Sequence, residues 1–94
     1  MLATGSFVNM QLRDAFAMVL RRARQAAGLT QADLALRTGL TSRYIRSLEA
    51  GQACPSLDTV FRLAQALELQ AYDLVAQVER ETELMVCGNG EPLL

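Results

Sequence analysis

The stretch Thr30 to Gly51, TQADLALRTGLTSRYIRSLEAG, constrains the fold more than any other part of this 94-residue chain. Apolar side chains fall at Leu34 and Ala35, with the half-apolar Thr38, and then at Leu40, Ile45 and Leu48. Spacings of three and four residues put one stripe on each of two short helices. Gly39 stands between the stripes, where a left-handed residue ends a helix and turns the chain. Thr41 or Ser42 then offers an N-cap oxygen to the second helix, and Gly51 closes it as Gly39 closes the first. Ala35 is small where two helices crossing at roughly 90–120° through a three- or four-residue turn come closest. The outer face of the second helix is left with Ser42, Arg43, Arg46 and Ser47, and Tyr44 at its edge. It offers donors and cations, and no carboxylate before Glu49.

The flanking segments read as three more helices. Asn9 can cap a first helix running to about Ala27, with Phe16, Leu20, Ala23 and Ala27 inward and Leu12 and Val19 alongside. The two central helices span Gln31 to Thr38 and Ser42 to Ala50. Ser56 caps a fourth, Leu57 to Leu67, whose buried stripe is Leu57, Val60, Leu63, Ala64 and Leu67. Ala71 to Val86 reads as a fifth, although Glu83–Cys87 reads equally well as a short strand. The expectation is a compact all-α fold of five helices in one domain, long enough to bury a core without metal or disulfide staples. Residues 1–8 form a flexible leader, 9–78 the folded unit, and 79–94 a charged extension and tail suited to dimerisation.

A net charge of −1 hides a strong polarity. Through Arg46, seven arginines stand against Asp14 and Asp33; from Ser47 onward two arginines stand against eight carboxylates. Such polarisation decides where a polyanion can dock more than the total does. Cys54 and Cys87 have no metal-ligand or redox-motif spacing and there is no histidine, so the reading is reduced thiols, no metal site and no cofactor. No nucleophile–base constellation is present, which argues against an enzyme. The run Ala15–Leu20 is short and bracketed by charge, so neither a secretion signal nor a membrane span is expected, and the chain reads as cytoplasmic.

With the helices laid out, the chain resembles the lambda-repressor-like (Cro/C1-type, xenobiotic-response-element-type) helix-turn-helix family. The resemblance rests on Arg24, Gly28-Leu29-Thr30-Gln31, Leu34-Ala35, Gly39-Leu40, Tyr44-Ile45, Leu48-Glu49, Gly51, Pro55-Ser56-Leu57 and Leu63-Ala64, and covers about Phe16 to Leu74. Arg43-Tyr44-Ile45 is also similar to the controller proteins of restriction–modification systems. The resemblance implies that Gln31 grips a phosphate and that Thr41, Ser42, Arg43, Tyr44, Arg46 and Ser47 form the DNA-binding surface. Arg43 can then pair bidentately with guanine O6 and N7. It further implies a structural salt bridge between Arg24 and Glu49, in which a stranded partner costs roughly 3–5 kcal/mol. One departure is that Gln52-Ala53-Cys54, a loop often basic in this family, carries no charge. Arg13, Arg21, Arg22, Arg37 and Arg62 are candidates to compensate.

The resemblance thus implies a sequence-specific transcriptional regulator of bacterial type. It would bind an inverted repeat in double-stranded DNA as a homodimer, with Phe61, Val75 and Val78 available to an interface. The alternative is an antitoxin-like module whose main partner is a protein, favoured by the acidic run Glu79 to Glu83.

Overall fold

The structure of the protein, a computed structural model, describes the backbone of residues 4–88 and the side chains of residues 12–83. The helices are α1 (Thr4–Ala26), α2 (Gln31–Thr38), α3 (Ser42–Glu49), α4 (Leu57–Ala66) and α5 (Ala71–Gly88). The described residues contain no strand, and Glu83–Cys87 continues α5 as helix.

Short polar side chains start the inner helices. The Thr30, Thr41 and Ser56 hydroxyls accept the backbone N–H of Asp33 at 3.0 Å, Tyr44 at 3.0 Å and Thr59 at 3.1 Å. Each cap satisfies an orphan donor and contributes about 0.5–2 kcal/mol. At α2 the Thr30 N–H also donates to the Asp33 carboxylate at 2.9 Å, completing a capping box. Gly39 ends α2 at φ 78°, its N–H donating to the Ala35 carbonyl at 2.9 Å. At the end of α4 the left-handed place is held by Glu68 at φ 59°, and the Leu69 N–H closes on the Ala64 carbonyl at 2.8 Å.

The core is built from Val19 and Leu20 of α1, Leu34 of α2, Ile45 and Leu48 of α3, Leu63 of α4 and Leu74 of α5, all fully buried. α1 packs on α3 and α5, α2 on α3 and α4, and α4 on α5. α3 is therefore held between α1 and α2 with one face left outward. Two guanidiniums fasten α2 to α4 reciprocally: Arg37 donates to the Ala66 carbonyl ending α4, and Arg62 to the Thr38 carbonyl ending α2, both at 3.3 Å. Cations at helix C-termini meet the negative end of the helix dipole there.

Three expectations need correction. α1 begins at Thr4, so Asn9 lies inside it rather than capping it; Gly5 carries the largest helix penalty of that extension, about 1 kcal/mol. Ala27 follows the last helical residue and is exposed. Leu57 is 71% exposed, not part of the buried stripe of α4. That stripe is centred on Val60, Leu63 and Leu67, and Leu57 is rotated off it onto the face it shares with Phe61, one turn on. Residues 1–3 of the expected leader, residues 89–94 of the tail and the Cys87 side chain lie outside what the structure describes.

Candidate nucleic-acid interface

Eight residues, SRYIRSLE, make α3, and burial sorts them by face. Ile45 and Leu48 are fully buried, and Tyr44 packs half-buried against the core. Arg43 and Arg46 are exposed on the opposite side, flanked by half-buried Ser42 and Ser47. Thr41 precedes them as the N-cap, its hydroxyl oxygen turned to the Tyr44 N–H.

The far end of α3 is anchored by charge. The Glu49 carboxylate, 4% exposed, receives Nε of Arg24 at 2.7 Å and Nη2 at 2.9 Å, a bidentate pair. Arg24 spends its remaining Nη1 on the Leu29 carbonyl at 2.9 Å, tying the α1–α2 connection to the same knot. Burial alone would raise the Glu49 pKa. Hydrogen bonds from Arg24 and Gln31, and the charges of Arg24 and Arg21, outweigh burial and hold the carboxyl below its ordinary value. The hydrogen bond to Glu49 raises the Arg24 pKa against the opposing effect of burial. Both groups stay ionised, which a buried pair requires if it is to hold.

Gln31, the first residue of α2, donates its amide Nε2 to Glu49 Oε1 at 3.0 Å. This bond is not written in the helical spacing, because it joins residues on different helices. One amide hydrogen is committed to it, and the second, with the backbone N–H at the helix start, remains for an anion.

The arginines divide into two groups. Arg21 donates to the Glu49 carbonyl at 2.9 Å and Arg22 pairs with Glu81 on α5. Arg37 and Arg62 close helix ends, and Arg62 also meets Asp58 at 2.9 Å. Among the described residues, Arg13, Arg43, Arg46 and Arg80 have no intramolecular hydrogen-bond or ion-pair partner. Arg13 is half-buried on α1, beside Asp14, whose backbone lies against Gly51 at the start of the uncharged loop. No three His, Cys, Asp or Glu side chains among the described residues come together as metal ligands, and no helix there is long and apolar enough to cross a membrane.

The packed pair α2–α3 inside five helices, with an outward cationic face and a buried arginine–glutamate anchor, matches a family model described as Helix-turn-helix over residues 20–74. The chain belongs to the Cro/C1-type helix-turn-helix family. This helix-turn-helix protein is 34% identical over 70 residues to an uncharacterized HTH-type transcriptional regulator, y4dJ, of Sinorhizobium fredii, across 74% of this chain and 91% of the relative. Its fold is similar to that of the clp gene regulator ClgR from Corynebacterium glutamicum, with a TM-score of 0.79 at 24% identity over 84% of each chain. It is also similar to the restriction–modification controller protein C.AhdI from Aeromonas hydrophila, with a TM-score of 0.64 at 37% identity over 66% of this chain and 94% of that one. The family consists of DNA-binding transcription regulators, not enzymes, and this helix-turn-helix chain is a regulator of that class.

Proposed function

We propose that the chain binds an inverted-repeat operator in double-stranded DNA as a homodimer, entering the major groove with the start of α3, and acts in the cytoplasm as a repressor or autoregulator. The observation that carries this reading is the pair Arg43 and Arg46, exposed and without a partner among the described residues, on a helix whose other face is locked into the core. Guanidiniums held ready in this way can pair with guanine O6 and N7, while Ser42 and Ser47 serve other base edges. Gln31 and Thr41 flank them as phosphate ligands, and Tyr44 contributes from the edge of the face. Arg13 adds a phosphate contact that the uncharged Gln52-Ala53-Cys54 loop cannot supply.

Dimerisation follows from size. One domain of this kind makes few base contacts, and two copies reading half-sites about 34 Å apart multiply them. The exposed apolar residues Leu57 and Phe61 of α4 and Tyr72 and Val75 of α5 support an isologous face there. The unit 9–78 would then suffice for reading DNA, with the charged extension and tail, 79–94, taking part in dimerisation. Similarity to a restriction–modification controller protein supports a regulator of that kind. A second reading, a basic protein partner, is supported by the exposed carboxylates Asp73, Glu79 and Glu83 on α5.

The test is selection of bound sequences from random duplex DNA, with molar mass by light scattering on the same sample. A two-fold symmetric consensus and a dimer mass are the expected results. No sequence preference even at low ionic strength would overturn the regulator reading and leave the protein partner as the better one.

A further inference from the structure

The four terminal carbonyls of α3 each need a donor, because no further helical turn supplies one. The Arg46 carbonyl takes the Ala50 N–H at 2.9 Å, that of Ser47 the Gln52 N–H at 3.0 Å, and that of Leu48 the Gly51 N–H at 3.2 Å. The fourth, on Glu49, takes Nη2 of Arg21 at 2.9 Å, from a different helix. Arg21 and Arg24 lie one turn apart on α1 and grip the same residue, one by its backbone and the other by its carboxylate.

We infer that Arg21 is a positioning residue for DNA reading: it fixes the tilt of α3, and it is not itself a phosphate ligand. This rests on the regulator reading given above. Core packing and an ion pair at one point still let a short helix tilt slightly about that point, and a second anchor on the backbone restricts the tilt. The lever is long enough to matter. From Glu49 to Ser42 the helix rises about 10 Å, so a tilt of about 5° displaces the reading end by nearly 1 Å. Hydrogen bonds to base edges tolerate only a few tenths of an ångström. The guanidinium also meets the negative end of the α3 dipole, which favours its staying there.

The test compares Arg21→Met, which keeps the apolar stem, with Arg21→Lys, which restores a cation and a donor. Binding is measured to the selected duplex and to a random-sequence duplex across a salt series. Backbone amide exchange is followed on the free protein. Arg21→Met is expected to weaken the selected duplex about fivefold, leave the random duplex and the salt slope unchanged, and speed exchange at Ala50, Gly51 and Gln52 but not in α4. Arg21→Lys should recover most of the affinity. A salt slope shallower by about 0.9 would instead make Arg21 a phosphate ligand, and equal losses on both duplexes would also overturn the inference. If the wild type itself lacks sequence preference, the regulator reading fails on that result alone. Unchanged exchange at Ala50–Gln52 in Arg21→Met would then still refute the anchor.

Discussion

Glu49 is where most of the interface chemistry meets. Its carboxylate takes Arg24 twice and Gln31 once, and its carbonyl takes Arg21. Arg24→Met would leave that carboxylate buried and unpaired, so chemical denaturation should show a loss of about 3–5 kcal/mol. The pH dependence has a definite sign. Glu49 is held below its ordinary range although burial opposes this, and Asp33 is held low by backbone and then side-chain hydrogen bonds with Thr30. A carboxyl lowered in the folded state contributes stability that is complete above its unfolded value, about 4, and is lost as pH falls through the folded value. Denaturation midpoints should therefore hold steady from pH 7 to about 5 and fall below about 4, with Glu49→Gln flattening the fall. Arg43 carries no structural bond among the described residues, so Arg43→Ala should melt like the wild type. Fluorescence anisotropy on the selected duplex should nevertheless show a loss of about 1–3 kcal/mol and a relaxed preference at one base position.

Helix ends made most of the elements legible. Gly39, Thr41, Ser56 and Gly51 are punctuation whose backbone meaning is local, so α2 and α3 could be bounded from residue type alone. The start of α1 was not legible in that way, because Asn9 is as compatible with a helix interior as with a cap when its neighbours tolerate helix. Leu57 shows another limit: periodicity names a stripe, but only packing decides which edge of the stripe faces the core. Glu68 is the reverse case, an ordinary residue in a left-handed place that no spacing announces. Glu68→Gly should relieve it and raise stability by about 0.5–1 kcal/mol in a thermal melt. Gly39→Val forces a β-branched residue to φ 78° and should cost at least about 2 kcal/mol. A Cβ there meets only Arg62 Nη1 at 3.7 Å, so the cost is in the backbone, and a melt equal to wild type would refute this turn geometry.

Across the whole molecule, the separation of basic and acidic halves could be read from the chain, but the assignment of individual arginines could not. Arg21, Arg22, Arg37 and Arg62 are candidates for phosphate by sequence, and each meets a carbonyl or carboxylate on another helix, distant in sequence. Such pairings depend on which helices lie side by side, which residue spacing does not reveal. The exposure of Leu57 and Phe61 on α4 and of Tyr72 and Val75 on α5 is likewise a property of the assembled fold. Phe61 is 57% exposed, so Phe61→Glu should keep the helical content of the wild type, its melting temperature falling only by what dimerisation contributes. Light scattering should report a monomer for this variant, with cooperative operator binding lost; a dimer of unchanged affinity would move the interface elsewhere.

The uncharged Gln52-Ala53-Cys54 loop has a consequence for the protein's life in a cell. Attraction to bulk chromosome grows with every cation that can displace a counterion, and this loop adds none. Such a regulator would leave irrelevant sequence more readily than one with a basic loop there. Occupancy of its target would then track the number of copies made more closely, with less buffering by the rest of the genome.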